Sequence, residues 1–187
     1  MSANVALRRA TAADAPCLHR IRREPSASRF QPLRPYPLAR LARMLAARAE
    51  LPLDRTLDGK VQWVIDADGA CAGWITLDVT GREHGIASVG YTIAEAFRGQ
   101  GIATKAVVLL TRIAFDPAGI ALDRLEAVAA VDNAASRRVL VKAGFQEEGI
   151  AHGLLVIDDA RVDHVRFGLL RNPADSRTGG PSRADRP

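Results

Sequence analysis

The stretch YTIAEAFRGQGIATKAV, residues 91–107, has the residue types and spacing best suited to binding a charged ligand. Gly99 and Gly101 flank one glutamine, Arg98 stands in front of them, and the pattern changes from strand-like to an apolar helix. Backbone N–H groups at a helix start attract phosphate, and glycines let an anion approach closely. The stretch therefore predicts a phosphate-binding turn at the start of a helix.

Two familiar phosphate motifs do not account for this turn. The Walker pattern GxxxxGK[ST] does not occur in the sequence. The dinucleotide pattern GxGxxG fails because Thr104 stands where its third glycine belongs. The alternatives that remain are a pyrophosphate site of another kind and a flexible helix entry that binds nothing.

The rest of the chain predicts the element order β-α-α-β-β-β-α-β-α-β-β, a mixed α/β domain at residues 1–171. The predicted elements are a strand at 5–8, a helix after Thr11 or Asp14, a helix from 38, an antiparallel meander at 60–93, a helix at 102–115, a strand at 124–131, a helix from Asp132 or Asn133 to Gly144, and an antiparallel pair at 145–170. Four prolines at 25–37 exclude regular structure there and predict a mobile connection. The Pro/Gly/Ser/Arg-rich tail at 172–187 is predicted to be disordered.

Charge and composition narrow the class of protein. Residues 1–60 carry 12 Lys/Arg and 5 Asp/Glu, whereas residues 61–170 carry 10 and 14. The basic excess is therefore at the ends, without the concentrated stripe that nucleic acid requires. Apolar runs are too short to span a membrane, and the N-terminus has no secretion signal, so a cytoplasmic protein is expected. Accordingly, Cys17 and Cys71 are predicted to be reduced thiols, and the scattered histidines predict no metal site.

The glycine turn and a second segment, VDNAASRRVLVKAGFQEEG at 131–149, together resemble the GNAT acetyltransferase superfamily. That family's pyrophosphate motif is Gln/Arg-x-x-Gly-x-Gly/Ala, and its later motif is Asn-x-x-Ser/Ala followed by Gly-Phe. The matching residues are Arg98, Gly101 and Ala103 for the first motif, and Asn133, Ser136, Gly144 and Phe145 for the second. The resemblance covers residues 61–170 and is greatest to the Rim-type branch, whose known members acetylate protein N-termini.

The resemblance implies a central, mostly antiparallel sheet flanked by helices, whose fourth and fifth strands splay apart around the pantetheine arm of acetyl-CoA. It implies that the backbone of Tyr91, Thr92 and Ile93 pairs with that arm, and that a bulge there points an amide at the thioester carbonyl to stabilise the developing oxyanion. The turn Arg98, Gly99, Gln100, Gly101, Ile102, Ala103 and Thr104 would hold the pyrophosphate. Asn133 would contact the pantetheine, and Arg138 the phosphates.

The catalytic residues follow less directly from the resemblance. Leu140 stands where many family members have a tyrosine acid, so Ser136 is the candidate that protonates the leaving thiolate. Ser88 replaces a glutamate that often serves this branch as base, and Glu126 is one candidate to replace it. Other candidates for the base are Glu83, His84, His152 and Asp163, and the sequence does not choose among them.

The resulting hypothesis is an N-acetyltransferase that uses acetyl-CoA and no metal. Its expected acceptor is a peptide or protein α-amine, drawn in by the mildly acidic region 61–170 to a mouth shaped by residues 25–37. The alternatives are a small amine acceptor, such as an antibiotic or polyamine, and a non-catalytic acyl-CoA-binding domain. No nucleic-acid or membrane partner is expected, and the assembly is left open between a monomer and a homodimer.

Overall fold

The computed structural model describes residues 3–33 and 36–172, so the predicted tail lies outside the described residues beyond Asn172. The strands are β1 (Val5–Arg9), β2 (Gly59–Ala67), β3 (Ala70–Gly81), β4 (Ile86–Ile93), β5 (Arg124–Ala130), β6 (Gln146–Ile157) and β7 (Ala160–Leu170). The α-helices are α1 (Ala15–Arg22), α2 (Leu38–Ala49), α3 (Ile102–Phe115) and α4 (Ala134–Lys142). The element order predicted from the sequence is confirmed.

All strands join one seven-stranded sheet in the order β1-β2-β3-β4-β5-β7-β6. Every neighbouring pair is antiparallel except β4 and β5, which run parallel. Their pairing covers only 86–88 of β4 against 124–126 of β5. Beyond these residues the two strands separate, so the predicted mixed sheet with splayed fourth and fifth strands is confirmed.

Each face of the sheet is covered by its own pair of helices. Successive side chains of a strand point to opposite faces, and β2 shows this directly. Trp63 and Ile65 pack in the cluster that includes α3 and α4, whereas Val64 packs with Leu18 of α1 and Leu45 of α2. The gap between β4 and β5 therefore lies in a sheet that is packed against helices on both faces.

Two local signals in the sequence determine where α3 and α4, the helices next to the gap, begin. The side chain of Asn133 accepts a hydrogen bond from the Ser136 backbone N–H (3.1 Å) and so fixes the first turn of α4. Gly101, with φ +76°, is the N-cap of α3, in a backbone conformation that glycine adopts without strain. The predicted starts of both helices are thereby accounted for.

The prediction of two reduced cysteines is wrong in this structure. Cys17 of α1 and Cys71 of β3 form a disulfide, with their Cα atoms 6.8 Å apart. The residues are 54 positions apart in the sequence, and only the packing of α1 across β3 brings them together.

Among the described residues, no helix combines the length and hydropathy needed to cross a membrane.

Candidate active site

A cavity of about 690 Å³ occupies the place where β4 and β5 separate. Its walls come from both splayed strands, the start of α3, the exposed side of α4, the loop at 26–32, and single residues of β6 and β7. Val128 lies in an interior strand, yet its side chain lines the cavity and is 44% exposed. The fold thus leaves apolar surface uncovered in the middle of its sheet.

The open edge of β4 presents backbone groups to this cavity. The Ala94 N–H, just past the strand, donates to the Ala72 carbonyl of β3 (2.8 Å). Because backbone groups alternate in direction along a strand, those of Tyr91 and Ile93 face the gap, whereas those of Thr92 face β3. An extended ligand can therefore pair with Tyr91 and Ile93 in place of a strand.

The bulge expected at residues 91–93 is absent from the described pairing. β3 and β4 pair without a break from Gly73 opposite Ile93 to Val79 opposite Ala87, and the irregularity lies beyond Val79. The continuous ladder with β3 holds this part of β4 straight. The backbone of β4 is exposed to the cavity only because β5 separates from it here.

The glycine turn has the geometry of an anion site. Gly99 and Gly101 both have positive φ angles, +74° and +76°, and a Cβ at either position would meet open space. No side chain of the described residues caps the start of α3, where Ile102, Ala103 and Thr104 line the cavity. The first N–H groups of the helix are thus available to a phosphate.

Arg98 lies between the glycine turn and the loop at 26–32. Its Nε donates to the Ile93 carbonyl (3.0 Å) and its Nη1 to the Ser26 hydroxyl (2.6 Å). Ser26 also hydrogen-bonds the Glu95 carboxylate. Gln100, in contrast, is exposed, does not line the cavity, and donates its side-chain amide to the Ala96 carbonyl (3.0 Å). The structure therefore gives the Gln100 side chain no part in the predicted pyrophosphate site.

Ser136 lies in the cavity wall and is joined to Tyr91. The hydroxyl oxygens of these two side chains are 2.8 Å apart, and the Tyr91 hydroxyl also donates to the Ser136 carbonyl (3.3 Å). Burial raises the pKa of Tyr91 to about 12, so the phenol keeps its proton at neutral pH. Sequence reasoning placed Tyr91 in the strand but missed this hydrogen bond, because the two residues are 45 positions apart.

The charge on the cavity wall is positive. Among the described lining residues the side chains with a full charge are Arg29, Arg98, Arg138 and Lys142, and none is a carboxylate. The expectation that the acidic region 61–170 draws in a cationic amine is therefore wrong for the cavity itself. The acidic residues of the region 61–170 lie outside the cavity wall, and the positive charge of that wall suits phosphates.

The structure brings neither Glu126 nor the turn residues to the cavity. Glu126 lies opposite Ser88, in the part of β5 that still pairs with β4, and its Oε1 accepts from Arg124 Nε (2.9 Å). Glu83 and His84 are exposed in a short turn before β4 and do not line the cavity. The candidate bases named on β5 and in this turn thus have no structural support.

The loop at 24–33 forms one wall of the cavity, at the end away from the start of α3. Gln31 Nε2 donates to the Thr92 hydroxyl (2.8 Å) and to the Ala27 carbonyl (3.0 Å). Glu24 accepts from the Glu95 backbone N–H (2.9 Å). These bonds place part of the predicted acceptor mouth at the cavity, while residues 34 and 35 lie outside the described chain.

The other wall of this end comes from β6 and β7. The register between these strands shifts from Ala151 to Leu155, and Asp163 fixes the extra residues by accepting from the Gly153 N–H (2.7 Å) and by pairing with His152 Nδ1 (2.7 Å). The hydrogen bond from the Gly153 N–H is the main cause that holds the pKa of Asp163 below its usual value, and the pairing with His152 adds to it. Leu155 and His164 line the cavity, whereas His152 and Asp163 do not.

Residues 4–146 match the family model of the acetyltransferase (GNAT) domain, and the chain belongs to that family. YdaF of Bacillus subtilis (strain 168), provisionally named a ribosomal N-acetyltransferase, is 38% identical over 104 residues, which is 56% of each chain. The chain thus spans about half the length of this curated relative.

Solved structures share the fold over most of the chain. Mycobacterium smegmatis RimJ in complex with CoA-disulfide is 28% identical with a TM-score of 0.73, covering 89% of this chain and 81% of RimJ. RimL, a ribosomal α-N-protein acetyltransferase solved with coenzyme A, is 20% identical with a TM-score of 0.77, covering 89% of this chain and 93% of RimL. At that identity, RimL supports the fold alone.

Proposed function

We propose that this protein transfers the acetyl group of acetyl-CoA directly to the α-amine at the N-terminus of a peptide or protein. The observation that carries the proposal is the gap between β4 and β5, which opens on a cavity with a phosphate-type helix start at one end. Family membership and the CoA-bound RimJ structure support acetyl-CoA as the donor.

The cavity suits each part of acetyl-CoA in turn. The N–H groups at the start of α3 and the guanidinium of Arg98 would bind the pyrophosphate. The apolar gap beside Val128 would hold the pantetheine arm, with its amides paired to the backbone of Tyr91 and to the Ile93 N–H, since the Ile93 carbonyl already accepts from Arg98. Arg138, in the cavity wall, would meet a further phosphate.

Ser136 and Tyr91 supply a proton at the leaving group. The acceptor nitrogen attacks the thioester carbonyl carbon, the C–S bond breaks, and the sulfur takes a proton from the Ser136 hydroxyl. The Tyr91 hydroxyl, 2.8 Å away, returns a proton to Ser136 and is itself reprotonated from solvent. Because burial raises the pKa of Tyr91 to about 12, the phenol carries its proton at neutral pH and can share it with Ser136.

Two considerations favour an α-amine over other acceptors. A lysine amine, with a pKa of about 10.4, is under about 0.1% neutral at pH 7, whereas an α-amine, at about 7.7–8.0, is on the order of 10% neutral. The cavity wall also lacks a described carboxylate that would attract a polycation. A polyamine is therefore disfavoured at this site.

The experiment measures release of free CoA thiol from acetyl-CoA with three acceptors. They are a lysine-free peptide with a free N-terminus, the same peptide blocked at the N-terminus and given one lysine, and a polyamine. We expect the first to have the highest kcat/KM. Preference for the blocked peptide or the polyamine would contradict the acceptor assignment, and thiol release with none of them, despite acetyl-CoA binding, would support a non-catalytic domain.

A further inference from the structure

His164 is a buried histidine in the cavity wall that the sequence analysis did not single out. It is 1% exposed and pairs in register with Ala130 of β5 and Ala151 of β6. Its Nδ1 lies 2.9 Å from the Val162 carbonyl oxygen. Its Nε2 is buried without a hydrogen-bond partner among the described residues.

These contacts fix the chemical state of the ring. A carbonyl oxygen only accepts hydrogen bonds, so Nδ1 of His164 must carry the hydrogen. In the neutral ring Nε2 then holds an unshared electron pair and can accept a proton. Because buried polar atoms are nearly always paired, Nε2 in the cavity wall is positioned to accept a hydrogen bond from a molecule that enters the cavity, whether water or substrate.

The position of His164 in the sheet places it opposite the proposed acid. Val165 and Phe167 of β7 belong to the core cluster that contains residues of α3 and α4. Because strand side chains alternate between faces, His164 lies on the other face, the same face as Thr92 and its partner Gln31. Ser136, on α4, lies across the sheet, and the gap between β4 and β5 connects the two sides.

We propose that His164 is the general base that deprotonates the acceptor amine, an inference that rests on the proposed function. Nε2 takes one proton from the ammonium group, and the neutral nitrogen attacks the thioester carbonyl carbon. The second nitrogen proton passes to solvent as the tetrahedral intermediate collapses, and this offsets the proton that Tyr91 takes from solvent after Ser136 has protonated the thiolate. Between turnovers His164 gives its proton to solvent, which matches the one proton that the overall reaction releases.

Among the described residues that line the cavity, no carboxylate competes with His164 for this role. Asp163 and Arg166 are the charged neighbours along β7, and the partners across β5 and β6 are alanines. The Asp163 carboxylate already accepts from the Gly153 amide and pairs with His152. The charged side chain that the loop at 26–32 brings to the wall is Arg29, a cation.

The test compares two acceptors whose attacking nitrogens differ strongly in basicity. One is the lysine-free peptide with its ordinary α-amine, and the other carries an N-terminal hydrazide nitrogen, which is already neutral at assay pH. His164→Asn keeps an N–H donor in place of Nδ1 and removes Nε2. His84→Asn, at an exposed position before β4, is the matched control.

We expect His164→Asn to lower kcat/KM about 10²-fold with the α-amine, the usual scale of a positioned base, and only a few-fold with the hydrazide. Acetyl-CoA affinity should not change, and His84→Asn should behave as wild type. Equal losses with both acceptors would show a structural role and overturn the proposal, as would an unchanged rate. A wild-type protein that acetylates neither acceptor would instead overturn the proposed function, and the base role with it.

A second measurement keeps the proposal testable if His164→Asn does not fold. Nitrogen-15 NMR of the wild-type protein reports which ring nitrogen of His164 carries the hydrogen. We expect a hydrogen on Nδ1 and an unprotonated Nε2 in the neutral ring. A hydrogen on Nε2 in the neutral ring would overturn the assignment, because the basic nitrogen of that tautomer is Nδ1, which faces the Val162 carbonyl and not the acceptor.

Discussion

The two ends of the cavity are built in different ways. The proposed cofactor end is formed mainly by one continuous segment, from Tyr91 to Thr104, which offers backbone groups at a strand edge and a helix start, with Val128 and Arg138 on the opposite wall. The acceptor end is formed by side chains from three distant parts of the chain, the loop at 26–32, Leu155 and His164. One end therefore depends on a local backbone shape, and the other on how distant elements pack.

This difference teaches where binding and specificity reside. A backbone cradle binds any ligand with the same phosphates and requires only small residues at fixed positions. An end made of convergent side chains can change with one substitution while the sheet remains intact. Under the proposed function, the loop at 24–33 and the β6–β7 pair would set which acceptor enters, and Arg98 joins the two ends through its hydrogen bond to Ser26.

The largest effect should come from a change at the cofactor end. Gly101→Glu introduces bulk, negative charge and an unfavourable positive φ where the first phosphate would lie. We expect acetyl-CoA affinity, measured by calorimetry, to fall by about 10³-fold or more, from the lost charge-assisted bonds and the new repulsion. Gly69→Glu is the control, because Gly69 has φ +83°, has open space around it and lies outside the cavity. Wild-type affinity for acetyl-CoA in Gly101→Glu would contradict the placement of the phosphates at this turn.

A smaller effect is expected at the junction of the two ends. Ser136→Ala removes the proton donor for the thiolate, so kcat should fall about 10²-fold while acetyl-CoA affinity stays the same. Ser88→Ala, at an exposed position on β4, should leave both unchanged. If kcat is also unchanged in Ser136→Ala, the hydroxyl serves the structure of α4 rather than the reaction.

Tyr91 should make the stability of the fold sensitive to alkaline pH. A tyrosine has a pKa of about 10 in the unfolded chain, and burial raises the pKa of Tyr91 to about 12 in the fold. Its contribution is therefore complete below pH 10 and is lost as the pH rises to 12, a change of about 2–3 kcal/mol. Urea unfolding should show a shallower alkaline loss in Tyr91→Phe than in wild type. A loss equal to that of wild type would contradict the buried state of this phenol.

The smallest effect should be confined to the acceptor end. Gln31→Ala removes the bond to the Thr92 hydroxyl that ties the loop to β4. A hydrogen bond contributes about 0.5–1.5 kcal/mol net, so the acceptor KM should rise about 2- to 10-fold. Acetyl-CoA affinity should not change, and the exposed Gln146→Ala should match wild type. Equal weakening of acetyl-CoA would show that the loop belongs to both ends.

Much of the fold could be read from the sequence because its signals are local. The turn at Asp68 and Gly69, the cap at Asn133 and the glycines before α3 each specify a backbone shape within a few residues. The cofactor end followed from the same signals together with the family resemblance. The Gln100 side chain departs from that prediction because it bonds its own turn at Ala96 and faces away from the cavity.

Of the proposed acceptor end, the sequence predicted the segment 25–37 but not Leu155 or His164, because their positions depend on contacts between residues far apart in the chain. Nothing near His164 marks it as different from the other three histidines, and its role depends on β7 lying between β5 and β6. Glu126 was a reasonable candidate by position on β5, but its register places it where the strands still pair. The Cys17–Cys71 disulfide was missed for the same reason.

The claim that one cavity joins both substrates can be tested by a bisubstrate ligand, in which the sulfur of CoA is linked through an acetyl spacer to the α-nitrogen of the lysine-free peptide. If the two ends meet at the gap between β4 and β5, calorimetry should show this ligand binding about 10²-fold or more tightly than CoA or the peptide alone. Gln31→Ala should weaken the bisubstrate ligand but not CoA. Binding no tighter than CoA would contradict direct transfer across this cavity.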